Sequence, residues 1–530
     1  MLYIKNLSFT FFLLLSWRLL SQDVGYFEGK LVDSSNNSPI VFATIQLKRQ
    51  SIGIISNLDG SFRIPNYYQD VGSQLVISCI GYKTVEVSLA DLSQNNVNTI
   101  YMNVEAIELD SVTLYAEKRK KQSPRKVIKE AIKSIPNNYS TNNFSLLGYY
   151  REYQLENGEY VNLSEASLEV FDLGFDEIDR LTTKVRIYDR KKNNDFAINT
   201  LSRMPYDYKT GKKTISKAFL NNYGGNEFVI LRIHDPIRNY NLDSFDFVNE
   251  LQSDFLVNHS FSTLGSLMLD NEPLYVIALK RNHPDYLVKG KLYISKYDFS
   301  IHKIQYALYD KVATKKRLGN KDSGYSEQLI FETITEYRKS GDMMFLNYSS
   351  FQNSFKLKVP AAFRTEQISF NPGKKYIKIT FNAKPDAKSV MKRSSYSLRF
   401  KNNKLKINSI KIEDKSVLLY PEMDEASLKE VMNSLKNNVQ NDNEISEAIV
   451  VEIGNVESVN GHILNQELTK IYYQFREFFV QRVNEHVTFT KEGPFMDAKE
   501  PIFGEQQVVP LGKEFGIWMN TPLKTLKTSE

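Results

Sequence analysis

A single cysteine, Cys79, stands in 530 residues, so no disulfide can close within the chain and no Cys-based metal site exists. It falls in the run Leu75-Val76-Ile77-Ser78-Cys79-Ile80, which reads as a buried strand with the thiol as a small core hydrophobe. Histidine is scarce as well. The six are His234, His259, His283, His302, His462 and His486. None has Glu three residues later and no His-Glu-x-x-His occurs, which excludes a zinc peptidase centre of those patterns. Charge of one sign is also lacking: 68 Lys and Arg against 62 Asp and Glu leave +6. Nucleic acid requires a concentrated basic face, so no nucleic-acid partner is expected. No run beyond the N-terminus reaches the roughly 18 apolar residues of a membrane-crossing helix. A Gly-x-Ser-x-Gly elbow and a Walker-type loop are both missing. The predicted catalytic, cofactor-binding and metal-ligating sets are therefore empty.

What the chain has in plenty is Tyr and Phe, 31 and 32 of them, residues that pack well on a pleated surface. Hydrophobic content of 42% and charged content of 25% are those of an ordinary globular protein. The length suggests two to four domains. At the N-terminus Lys5 precedes a short apolar stretch from Leu7 to Trp17. That is too short for the roughly 20 helical residues of a bilayer core but suits a signal peptide cleaved after Ser21, before Gln22. Export to the periplasm or to the outer membrane is the expectation. With Gln22 rather than a Cys directly at the cleavage point, no lipid-anchored mature terminus is expected.

From Gly29 to about Val104, short alternating runs are separated by turn chemistry. Val41, Ala43, Ile45 and Leu47 alternate with Phe42, Thr44, Gln46 and Lys48, the period of a half-buried strand. Asn57-Leu58-Asp59-Gly60 reads as a turn. Asp59 is not a calcium ligand of the EF-hand kind, because the alternating oxygen ligands and the closing Glu are absent. Strands of this length and spacing predict a two-sheet sandwich. The order Gly29, Val32-Asp33, Pro39, Ala43, Gly53, Asn57-Leu58-Asp59-Gly60-Ser61-Phe62, Leu75, Ser78 and Ile80-Gly81-Tyr82 resembles the carboxypeptidase regulatory-like domain of exported Bacteroidota proteins. The resemblance implies a seven-stranded, transthyretin-like accessory module without catalytic residues. It does not extend to a peptidase. The same module precedes TonB-dependent receptors, and residues 109–114 are similar to the segment that follows it there. A large outer-membrane barrel is not expected, because helical patterns interrupt the roughly 10-residue alternations it needs.

Lys118, Arg119, Lys120 and Lys121, with Arg125 and Lys126, form the densest basic run. It reads as a linker, with peripheral contact to anionic lipid as the sharper alternative. Lys315-Lys316-Arg317 reads as a hairpin tip. Ser123-Pro124 is a helix start, Val127, Ile128, Ala131, Ile132 and Ile135 follow at helical spacing, and Pro136-Asn137-Asn138 is the expected stop. From Phe144 to Phe381 strand-like runs predict a large antiparallel sheet. Lys289 to Ser295, answered by Ile301 to Ile304, is similar to the sheets of periplasmic lipoprotein carriers. Leu147 to Glu152, placed after the sandwich and a helix, is similar to exported Bacteroidota proteins of no established activity. Near the end, Ala426 to Leu435 and Ile463 to Val483 read as amphipathic helices, and Asn437 to Glu444 as a polar loop.

Among the acids, Glu165 and Glu169 share one face of a predicted strand, about 13 Å apart by strand rise. That exceeds the roughly 5 to 9.5 Å of a glycosidase pair. Glu152, across a hairpin from Glu165, could come closer, but local pattern does not place it. His234-Asp235-Pro236 and His283-Pro284-Asp285 read as polar loops. The fold class is mainly β with some α, divided as signal peptide 1–21, sandwich 22–116, basic linker and helix 117–142, antiparallel sheet domain 143–390 and mixed α/β region 391–530. The leading expectation is a non-enzymatic envelope protein that binds or scaffolds an envelope protein, glycan or lipid. A hydrolase of unfamiliar type and a periplasmic carrier of a lipophilic ligand stay open beside it.

Overall fold

The computed structural model describes residues 25–48, 52–69, 73–105, 122–217, 225–242, 253–269, 272–313, 325–401, 403–437, 449–488, 493–510 and 516–523. The signal-peptide residues, the basic run at 118–121, the segments 109–114 and 315–317, and most of the polar loop at 437–444 lie outside them. The chain is mainly β, as its composition implies, and divides into two compact units. One unit is Met1–Tyr206, Thr214–Phe355 and Tyr472–Glu530; the other is Asp207–Lys213 and Lys356–Ile471.

The first unit opens with seven strands: β1 (Tyr26–Asp33), β2 (Thr44–Leu47), β3 (Gly53–Ile55), β4 (Ser61–Pro65), β5 (Gln74–Ser78), β6 (Val85–Ser88) and β7 (Asn98–Met102). They form two sheets, β4-β1-β7 and β3-β2-β5-β6. Alternation sends Phe27, Leu31, Ile45, Leu47, Phe62, Ile64, Leu75 and Ile77 into a common core. Gly60 makes the expected turn with φ of 76°, a conformation that favours glycine. Asp59 accepts from the Ser61 backbone N–H at 3.0 Å, which closes an Asx-turn within the expected turn.

Helix α1 (Pro124–Asn138) follows, with the Ser123 hydroxyl accepting from the Lys126 N–H at 3.3 Å. It buries Val127, Ile128, Ala131 and Ile135 and runs through Pro136 to Asn138. The proline falls in the last turn, so the Ile132 carbonyl four residues back loses its intrahelical donor as the helix ends. The chain continues as β8 (Phe144–Glu156), β9 (Glu159–Asp172), α2 (Asp179–Thr182), β10 (Lys184–Lys192), β11 (Lys213–Thr214), α3 (Glu227–Ile233), α4 (Ser253–Asn258), β12 (Ser260–Leu269), β13 (Glu272–Asn282), β14 (Tyr286–Ser295), β15 (Ile301–Ala313), β16 (Tyr325–Ser340) and β17 (Met343–Val359). The second unit holds β18 (Thr365–Asn371), β19 (Tyr376–Phe381), α5 (Ala387–Val390), β20 (Tyr396–Phe400), β21 (Asn403–Leu405), β22 (Ile407–Glu413), β23 (Ser416–Pro421), α6 (Glu425–Asn437) and β24 (Ile449–Ile453). Its sheets, β18-β19-β23-β22 and β21-β20-β24, enclose a core that includes Phe363, Ile379, Leu398 and Leu419. The last strand is β25 (Leu468–Asn484).

The large sheet of the first unit runs β10-β9-β8-β25-β17-β16-β15-β14-β13-β12. Here one expectation is corrected: Ile463 to Val483 is not a helix but mostly strand β25, inserted between β8 and β17. Tyr472, Gln474, Arg476, Glu477, Phe478, Phe479, Val480 and Gln481 are all buried, so both faces of the strand are covered. A strand covered on both sides loses its alternation, and its apolar residues can then mimic a helical stripe.

Candidate functional site

Two faces of the large sheet carry the charged residues, and the register decides which goes where. The β8–β9 hairpin turns at Asn157-Gly158, both with positive φ, and pairs Glu156 with Glu159. Between Glu152 and Gln154 the register shifts, and Asn162 on β9 sits at φ of 56° within that bulge. Its side chain donates to Gln154 Oε1 at 3.1 Å and accepts from the Asn199 N–H at 2.9 Å. A bulge moves every later side chain to the other face. Glu165 therefore stands opposite Arg151, while Glu152 stands opposite Ser164. Adjacent residues of a strand point to opposite faces. Glu152 and Glu165 therefore lie on opposite faces of the sheet.

On the face toward the sandwich, Arg151 Nε bonds Glu477 Oε2, and its Nη1 bonds Asn57 Oδ1 of the β3–β4 turn. Tyr153 and Tyr348 hydroxyls donate to Glu477 Oε1 at 3.0 and 3.3 Å. Burial works against the Arg151 charge, but Glu477 beside it holds the guanidinium pKa above its usual range. Glu165 accepts from the Tyr149 hydroxyl, from Asn193 Nδ2, and from Thr521 Oγ1 at 2.8 Å. Glu169 accepts from the Ser145 hydroxyl at 2.7 Å and from Tyr188. Burial, and then the Glu169 bond, push the Tyr188 hydroxyl up to about 12. These acids act as acceptors that fasten neighbouring strands. Arg338 Nη2 donates to Ser78 Oγ at 2.8 Å, and Asn347 Nδ2 to Thr44 Oγ1 at 3.2 Å, adding further ties to the sandwich. The C-terminal segment contributes Asn520, which accepts from the Arg63 N–H at 2.8 Å and donates to Ile55 O at 2.7 Å.

On the opposite face, helix α3 begins at an Asn226 cap whose side chain accepts from the Phe228 and Val229 N–H groups. That start places Glu227 on Arg476 Nε, while Arg476 Nη1 donates to Asn353 Oδ1 at 2.7 Å. Glu152 lies in the same cluster and accepts from the Tyr150 hydroxyl at 3.0 Å. Burial, then the nearby Glu227 charge, push its carboxyl up to about 7, against the opposing pull of Tyr150 and Arg476. Phe228 packs edge-on against Tyr150 and Phe478. Sequence reasoning singled out Glu152 but missed Glu227 and Arg476. The Asn226-Glu227 helix start was the available signal.

The same face changes character toward β12. Phe261, Ile277, Leu279, Val288, Leu292, Ile304 and Leu308 share it by register. Helix α1 lies against β12 and β14, with Arg125 over the Phe261 ring. Phe255 of α4 packs tilted against Phe261, and His259 Nε2 meets the Tyr306 hydroxyl at 3.2 Å. At the outer rim Val257 is 74% and Met268 44% exposed.

The histidines are dispersed. His234 is buried between Phe331 and Phe351, with Nδ1 2.7 Å from Ile230 O, and burial lowers its pKa to about 3. His302 faces Glu272 at 3.4 Å, and His283 stacks on Tyr286. Among the described residues no group of three or more His, Cys, Asp and Glu is placed to hold a metal. Cys79 packs on the sandwich core, where burial pushes its thiol up to about 11. A thiol so rarely ionised is a poor nucleophile.

Residues 27–114 match the CarboxypepD_reg-like domain family. The seven-stranded sandwich is that module, about a sixth of the chain. No curated protein matches the sequence. Among solved structures, a domain named as an outer membrane lipoprotein-sorting protein, from Vibrio parahaemolyticus, aligns at 11% identity and TM-score 0.21, over 43% of this chain and 84% of that one. A LolA superfamily protein from Nitrosomonas europaea aligns at 9% identity and TM-score 0.17, over 44% and 86%. At that level neither neighbour decides the fold or the function. No described helix is long and apolar enough to cross a membrane.

Proposed function

We propose that this chain is a non-catalytic, exported binding protein of the cell envelope, and that the apolar half of its large sheet takes a lipophilic ligand. The carrying observation is the division of one sheet face. Its β8–β25 half is closed by α3 over paired charges, whereas its β12–β15 half is a mainly aliphatic face, buried apart from the half-buried Phe261, with α1 lying against β12 and β14 and an exposed rim at Val257 and Met268. A ligand site needs a predominantly apolar lining with few polar fixtures, and here the His259–Tyr306 pair supplies one such fixture. In this reading α1 and α4 are the elements that yield to an acyl chain, and the sandwich is a fixed accessory module on the other face.

A second reading, a filled scaffold, draws on the packing of α1, whose Val127, Ile128, Ala131 and Ile135 are fully covered. Titration of the full chain with cis-parinaric acid separates the two. The lipophilic reading expects a saturable fluorescence rise, competed by palmitate and weakened by Val257→Glu with Met268→Glu. A flat titration favours the scaffold. Turnover of glycan or peptide substrates would overturn both.

A further inference from the structure

On the sandwich side of the large sheet a cavity of about 480 Å³ opens between β1 and β4, the loop after β10 and the C-terminal segment. Its walls include three acids, Glu28, Asp59 and Asp195, and three bases, Lys30, Arg63 and Lys191. The charges cancel, so the cavity selects against a ligand of net charge. Two buried polar atoms at the wall have no hydrogen-bond partner, Asn193 Oδ1 and Arg63 Nε. Asn193 is 5% exposed, its amide nitrogen is held by Glu165, and its carbonyl is left as an acceptor. Arg63 spends Nη2 on Glu28 at 3.1 Å, which leaves Nε as a donor. A buried polar group without a partner costs about 1–3 kcal/mol, and a hydroxyl serves a donor and an acceptor at once. Phe196, half-buried and fixed edge-on to Tyr160 at 6.1 Å, offers a flat apolar surface on the same wall.

We infer that this cavity binds a neutral saccharide of two or three rings. The size lies within the roughly 300–1,000 Å³ of small-ligand sites. Alternating acids and bases suit vicinal hydroxyls, and the phenyl face suits the C–H side of a sugar ring. The inference does not rest on the lipophilic site, which lies on the other face of the sheet.

Calorimetric titration of the full chain with maltotriose, triacetylchitotriose and, as a zwitterionic control, trialanine tests it. The expected result is saturable binding of at least one saccharide, weakened about tenfold or more by Phe196→Ala and by Asp195→Ala, with the circular dichroism spectrum unchanged. Binding of trialanine alone, no saccharide binding at millimolar concentration, or saccharide binding indifferent to both substitutions would overturn it.

Discussion

Neighbouring residues on two paired strands carry the same two charges to opposite faces. Arg151 stands opposite Glu477, and Glu152 opposite Arg476. Toward the sandwich the pair closes on itself, with Asn57, Tyr153 and Tyr348 adding hydrogen bonds to it and Arg151 Nη2 left without a partner among the described residues. Toward α3, Arg476 bonds Glu227, and Glu152 is left with a tyrosine and a second carboxylate nearby. One face thus holds a matched ion pair and the other an excess acid. A matched buried pair fastens two modules over a wide pH range, whereas an excess, half-buried acid makes its face sensitive to pH.

The largest effect is expected from breaking the matched side. Glu477→Gln strands the buried Arg151 charge and should cost about 3–5 kcal/mol, read as a fall in the denaturation midpoint. A loss below about 1 kcal/mol would mean the pair is not what fastens the sandwich. Phe479→Ala, which empties a site in the core shared by sandwich and sheet, should cost about 3–5 kcal/mol by the same measurement.

Glu152→Gln tests the excess side and has the opposite sign. A carboxyl raised from 4.5 to about 7 holds its proton in the fold after the unfolded chain has released it. Stability from this group is therefore full below about pH 4.5, falls as pH rises to about 7, and stays low above that. The variant should be more stable than the parent at pH 8 by about 1–3 kcal/mol and indistinguishable at pH 4. Equal stability at both pH values would show that Glu152 titrates normally. Smallest, Ser123→Ala removes the cap of α1 and should cost about 1 kcal/mol, seen as faster hydrogen exchange in its first turn.

The sandwich was legible because its turns are built from residues with local conformational demands, Asn57 to Gly60 above all. The start of α1 was legible for the same reason. Strand β25 was not, because burial on both faces removes the alternation that marks a strand. The bulge at Asn162 could not be seen either. A bulge is defined by the partner strand, and nothing in Tyr160 to Val170 announces that one residue will be skipped. That single residue sends Glu152 and Glu165 to different faces, so the candidate cluster assembled around Glu227 and Arg476 instead. Pairings between strands 300 residues apart belong to the fold, and local pattern does not encode them.

Hydrogen exchange of the full chain with and without cis-parinaric acid tests the division of labour most directly. Ligand-dependent protection should concentrate in α1, α4 and β12–β15, with β8, β25 and the sandwich unchanged. Protection that appears instead at the sandwich, or nowhere at all, would contradict it.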